Sequence, residues 1–123
     1  MDFYEGKEII KNLTVTFAHG KVTSMSGSGP GFEPYKARYE ASGNGKENLS
    51  QVDFGINTSV RLPAETKLGN WISAGTITIS FGGDNTPLGG ENTSALFTNI
   101  FLPGSTVTLD GKTIVDNGKL LLQ

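Results

Sequence analysis

Few residues in this chain are equipped for chemistry. Among 123 residues there is one histidine, His19, and no cysteine. A Ser-His-Asp or Cys-His nucleophile would have to be built around His19. That residue sits inside Ala18-His19-Gly20-Lys21, which has the signature of a tight turn, so a solvated imidazole is expected there rather than a catalytic one. Without cysteine, disulfides and thiolate metal sites are excluded. The remaining donors are oxygens. Asp53, Asp84, Glu91, Asn85, Asn92 and Asn99 fall near strand ends and could serve a hard cation such as calcium. The commoner use of such residues is in turns and at solvated edges. Tyr35, Tyr39 and Trp71 could stack against a sugar, but they are scattered in sequence and suit a core equally well.

The stretch with the strongest look of a binding loop is TITISFGGDNTPLGGENTSALFTNIFLPG, from Thr76 to Gly104. An alternating strand enters two Gly-Gly pairs and leaves through Asn, Thr, Ser, Leu and Phe. Ile77, Ile79 and Phe81 share one face of the entering strand, and Thr76, Thr78 and Ser80 the other. Upstream, Leu13, Val15 and Phe17 alternate with Thr14 and Thr16, and Val22 lies in the strand returning from the His19 turn. SGSGPGFEP, from Ser26 to Pro34, is expected to be a flexible connector. Its glycines at 27, 29 and 31 imitate part of a phosphate-binding fingerprint, but no βαβ unit surrounds them. EPYKARYEASG is the one plausible helix, opened by Pro34 and ended by Gly43, with Tyr35 and Tyr39 four residues apart. GKENLSQ is expected to add a further helical turn. In QVDFGIN, Val52, Phe54 and Ile56 are expected to face inward and Asp53, Gly55 and Asn57 outward. RLPAETKLGNW reads as a polar connection. At the C-terminal end, Asp110-Gly111 and Asn117-Gly118 are strong hairpin signals and predict a meander of three short strands. The expected fold is one mainly β domain over residues 1–123, with one short helix, as an antiparallel curved sheet or barrel.

Bulk properties narrow the function classes. The formal net charge is −2, with 10 basic and 12 acidic residues, so no basic field is present to hold a nucleic-acid backbone. Seventeen glycines point to turns rather than long helices. Apolar runs are too short for a membrane span, and MDFYEGKEIIKN lacks the apolar region of a signal peptide. A cytoplasmic setting is therefore expected, and the sequons at Asn12, Asn48, Asn57 and Asn92 are expected to reflect composition alone.

The order of KNLTVTF, GKV, VDFGIN, GTITISFG, GGENTSALFTN and TVTLDGKTIVDNGK resembles the C-terminal portion of the aminopeptidase T type of metallo-aminopeptidases, the leucyl or thermophilic aminopeptidases. The resemblance runs from about Gly6 to Leu120, is weakest over 26–50, and would cover roughly the last third of a full family member. In that family this region supplies most ligands of a two-metal site. The resemblance implies that Asp53, in Asp-Phe-Gly-Ile-Asn, stands where the family has glutamate in Glu-Phe-Gly-Ile-Gly. Thr78 stands where Gly-Thr-Val-His-Ile-Ala-Leu-Gly supplies histidine. The loop Gly89-Gly90-Glu91-Asn92-Thr93-Ser94 is kept, but the His-x-Asp pair that follows it is replaced by Phe97 and Asn99. A tyrosine expected before Gly89 is replaced by Thr86, Pro87 and Leu88. A second glutamate ligand and an α/β domain lie upstream in full-length members and have no counterpart here.

Zinc or cobalt at such a site needs imidazole and carboxylate ligands at about 2.0–2.2 Å. Thr78 offers a neutral hydroxyl, Phe97 nothing, and Asn99 an uncharged oxygen. Asp53 keeps the charge on a stem shorter by one bond, roughly 1.5 Å. The resemblance thus implies a domain with no metal cofactor and no catalytic residue of its own, acting in binding, assembly or structure. Its glycine loop, Gly89, Gly90, Asn92 and Ser94 included, would be inherited scaffold. The alternative is a metal-dependent aminopeptidase that works only with an upstream α/β domain or a partner subunit. Trp71, Phe97, Phe101 and Leu102 are candidates for an association surface, possible partners being a second copy or that α/β domain; ordinary core packing is the commoner role for each.

Overall fold

The computed structural model describes residues 2–61 and 72–121. Nine strands and one α-helix follow in order. They are β1 (Phe3–Glu5), β2 (Glu8–Ala18), β3 (Lys21–Ser28), α1 (Phe32–Ala41), β4 (Leu49–Phe54), β5 (Ile77–Asp84), β6 (Thr93–Leu102), β7 (Val107–Leu109), β8 (Lys112–Asp116) and β9 (Lys119–Leu120). They form three antiparallel three-stranded sheets with orders β1-β2-β3, β4-β5-β6 and β7-β8-β9. The mainly β class with one helix is what the structure shows; no closed barrel forms among the described residues. Residues 62–71, with most of the expected polar connection and Trp71, lie outside the described residues.

The described chain groups into two compact units, 2–50 with 80–98, and 51–61 with 72–79 and 99–121. In the first, His19 and Gly20 both take left-handed backbone, at φ 51° and 74°, and close the β2–β3 hairpin with Ala18 opposite Lys21. Two consecutive left-handed residues match the twist of the flanking strands, which is why His-Gly works at this tip. His19 is exposed there. The ladder slips between Lys11 and Thr14, where Asn12 sits at φ 53°.

The expected flexible connector is ordered differently. Ser26, Gly27 and Ser28 belong to β3, and the chain then turns straight into α1. Gly27 has no room for a side chain: a Cβ there would stand 2.8 Å from the Phe32 ring and 3.2 Å from Ile10. Gly31 caps the helix, and a Cβ on it would meet the Glu8 carbonyl at 2.8 Å. A Cβ on Gly29 would likewise stand 2.7 Å from the Ile9 carbonyl, so all three glycines are close-packing residues against β2 or α1. Pro34 is the third helical residue rather than the opener, a position whose N–H needs no helical partner. Gly43 follows the end of the helix at φ 73°, as expected. GKENLSQ forms no helical turn; residues 44–47 form a turn and β4 starts at Leu49.

Ile10, Leu13, Phe32 and Tyr35 make the core of this unit, with Phe3, Val15 and Met25 packed on it. Tyr35 is wholly buried, its hydroxyl paired with the Thr98 hydroxyl at 2.9 Å and its ring edge-on to Phe3. Burial pushes the Tyr35 phenol above its ordinary pKa, against the pull of the Thr98 bond. Arg38 lies over the same ring and grips Glu5 through two bonds of 2.6 and 2.8 Å. A buried Tyr35 is core, so the sugar-stacking platform does not form around it.

The second unit has its own core of Ile77, Ile114 and Val115, with Ile79, Leu102, Val107 and Leu120 against it. The C-terminal meander forms as the sequence predicts. Asp110-Gly111 and Asn117-Gly118 both adopt paired positive φ (49° and 79°, 46° and 77°) and join β7 to β8 and β8 to β9.

The β4 expectation is overturned in one respect. Val52, Phe54 and Ile56 point outward, at 47%, 42% and 69% exposure, while Gln51 and Asp53 are half-buried. Alternation fixes that two faces differ; it does not fix which face meets the core. On β5 both faces are buried: Ile77 and Phe81 on one, Thr78 and Ser80 on the other, and Thr76 just before the strand is buried too.

Candidate functional site

The four positions that the resemblance marks lie on three neighbouring strands in the order β4-β5-β6. Asp53 is half-buried on β4, and its carboxylate accepts a bond from Gln51 Nε2 at 2.8 Å. Thr78 is buried on β5, and its Oγ1 has no hydrogen-bond partner among the described residues. Asn99 is half-buried on β6. Phe97, two residues before it, is 46% exposed; its ring lies over Gly83, where a Cβ would stand 2.5 Å from the ring. Phe97 belongs to the first compact unit, and Asp53, Thr78 and Asn99 to the second.

The donor types in the second unit do not suit a zinc or cobalt ion: Asp53 has one carboxylate, Asn99 one amide and Thr78 one hydroxyl, and a single anionic ligand does not offset a dication's dehydration. Among the described residues no three His, Cys, Asp or Glu side chains come together in a group able to hold a metal.

The unpartnered Thr78 hydroxyl has a measurable consequence. A buried hydroxyl without a partner costs its desolvation, and valine matches its shape. Thr78→Val is expected to raise stability by about 1 kcal/mol. Chemical denaturation reads this as a higher midpoint at unchanged slope. A lowered midpoint would show that the hydroxyl is bonded in the folded protein.

The glycine loop is built from the inside. Asp84 Oδ1 accepts from the Thr86 hydroxyl at 2.6 Å and the Thr86 N–H at 3.0 Å, which together hold its carboxyl below the usual carboxylate range, the hydroxyl bond counting most. Thr86–Leu88 then forms one 3-10 turn, ended by Gly89 at φ 83°. Asn85 closes the loop: its N–H donates to the Asn92 carbonyl, and its Oδ1 accepts the Asn92 N–H at 2.9 Å. Gly90 must be glycine here, since a Cβ would overlap the Asn85 amide.

Asn92 is the centre of the arrangement. Its Nδ2 donates to the Gly45 carbonyl at 2.9 Å and the Gly83 carbonyl at 2.8 Å, and its Oδ1 accepts from Asn48 Nδ2 at 2.9 Å. One side chain thus ties together the turn after α1, the end of β5 and the residue before β4. Ser94 Oγ is spent locally, accepting from the Leu96 N–H. Of the oxygen donors suggested for a hard cation, Asp53, Asp84, Asn85 and Asn92 are all engaged by protein groups, and Glu91 is exposed.

Sequence reasoning placed Asn92 in the loop but missed Asn48 and Gly45 as its partners. They lie 44 and 47 residues away, and no local pattern announces such a pairing. Of the apolar surface candidates, Phe97 is exposed, Phe101 and Leu102 are half-buried with Leu102 packed on the second core, and Trp71 lies outside the described residues.

The fold and this loop define a mainly β protein of three small sheets whose polar loop is stapled into its own scaffold. No protein-family model, curated protein or solved structure matches the chain.

Proposed function

We propose that this chain is an aminopeptidase-like domain without catalytic function of its own, acting as a binding or assembly module in the cytoplasm. The motif order supports the kinship. The residue types at 53, 78, 97 and 99 support the loss of the metal site. The loop that would border a substrate spends its polar groups on internal bonds, which fits a retained scaffold.

The observation behind the assembly role is the outward row of Val52, Phe54 and Ile56. Two large apolar side chains on one face of a terminal strand of its sheet, with a third just beyond its end, favour association. The partner is a second copy or an upstream α/β domain. No helix among the described residues is long and apolar enough to cross a membrane.

Light scattering over a concentration series, paired with elemental analysis, tests this. The wild-type chain is expected to gain apparent mass with concentration, and Phe54→Ser to weaken that association by about tenfold or more. A strict monomer at high concentration removes self-assembly. Stoichiometric zinc, cobalt or manganese, with release of N-terminal residues from peptides, would replace this reading by that of an enzyme completed by another domain or subunit.

A further inference from the structure

Two Asn-Gly dipeptides occur, Asn44-Gly45 and Asn117-Gly118. The sequence treats them alike; the structure does not. We propose that Asn44 is a site of spontaneous covalent modification, converting through a cyclic imide to aspartate and isoaspartate, while Asn117 is protected by its fold.

The chemistry needs only water. The main-chain nitrogen of Gly45 attacks Cγ of Asn44. A bond forms between that nitrogen and Cγ, the bond from Cγ to Nδ2 breaks, and the side-chain amide leaves as ammonia, taking up the proton that the glycine nitrogen loses through solvent. Water then opens the five-membered imide at one carbonyl or the other. The first route gives aspartate. The second gives isoaspartate, in which the main chain runs through the former side-chain carbon. The attacking nitrogen must be free, and the backbone must swing until it meets Cγ.

Asn44 meets the first condition, and Gly43 eases the second. It is exposed in the turn after α1, flanked by Gly43 at φ 73° and Gly45 at φ 82°. Nothing would crowd a Cβ on Gly43, and the Gly45 N–H has no acceptor among the described residues. Gly43 leaves the backbone free to rotate on its side, while the Gly45 side is held at its carbonyl by Asn92 and Asn48. Asn117 meets neither. The Gly118 N–H donates to the Ser105 carbonyl at 2.8 Å, and the Asn117 N–H to the Thr106 hydroxyl at 3.0 Å. The Pro103 carbonyl stands where a Cβ on Gly118 would be, so this turn is also packed from outside.

Modification at Asn44 would act on the staple. The Gly45 carbonyl accepts from Asn92 Nδ2 and from the Asn48 N–H. Isoaspartate adds a carbon to the main chain immediately before that acceptor.

The test ages the full chain in mildly alkaline buffer, both native and in denaturant. The two Asn-Gly peptides are then quantified by the mass change of amide-to-acid conversion and by isoaspartate-specific methyl transfer. In the native chain Asn44 is expected to convert at least about fivefold faster than Asn117, the factor by which one engaged N–H holds back attack. In denaturant the two rates are expected to converge. Asn44→Gln should abolish conversion at that position and leave Asn117 unchanged. Equal or faster conversion of Asn117 in the native chain overturns the proposal. So does an unchanged ratio in denaturant, which would assign the difference to neighbouring sequence rather than to the fold.

Discussion

Asn92→Ala is expected to lower the unfolding free energy by about 3 kcal/mol or more, the largest loss among single polar substitutions in the loop. Three side-chain bonds disappear together, to the Gly45 and Gly83 carbonyls and from the Asn48 amide. Each is worth about 1 kcal/mol net, and buried groups left without partners cost more than that. The loop also loses its tie to the turn after α1, so protease is expected to cut first between Asp84 and Asn92. Asn92→Asp sharpens the point. A carboxylate of the same shape still accepts from Asn48 but turns an anionic oxygen toward two carbonyls. Its loss should match that of alanine near neutrality. Stability should partly recover on acidification, because the protonated acid regains one donor. Denaturant midpoints at two pH values read both effects. An Asn92→Ala midpoint within error of wild type would remove the staple as a stabilising device.

Gly75→Ala is expected to cost about 3 kcal/mol or more. Gly75 sits at φ 86°, where an L side chain is strained. A Cβ there would overlap the Gly118 carbonyl oxygen and stand 2.6 Å from its carbon. Neither is the end of a flexible side chain, so backbone must move. The Gly75 N–H meanwhile donates to the Gly55 carbonyl at 2.9 Å, which fixes where the residue can go. Gly111→Ala is the control. Its φ is similar at 79°, but nothing lies within 4 Å of the added carbon, so it should cost only the conformational strain of about 1 kcal/mol. Thermal unfolding of the two variants separates contact from conformation. Equal losses would show that the Gly75–Gly118 approach is looser than the structure has it.

Comparing these residues shows where local information stops. His19-Gly20, Asp110-Gly111 and Asn117-Gly118 were legible as hairpin tips because the turn's requirement, two successive left-handed residues, is met by the pair itself. The helix was legible from its spacing, with its start displaced to Phe32 because Gly31 and Phe32 are fixed by packing against β2. Gly27 and Gly31 looked like loop residues for the same reason. A glycine kept for room and a glycine kept for flexibility are the same letter, and the neighbour that needs the room is distant in sequence.

By itself, then, the sequence determined a mainly β chain with one helix and a C-terminal meander. These follow from residue type and local spacing, which the chain carries wherever it folds. Only the tertiary structure decided that Val52, Phe54 and Ile56 face outward, that Thr78 is buried with its hydroxyl unpartnered among the described residues, and that Asn92 binds Gly45, Asn48 and Gly83. Which face of a strand is covered, and which amide meets which carbonyl, depends on what another part of the chain brings alongside. No alternation within a strand encodes that.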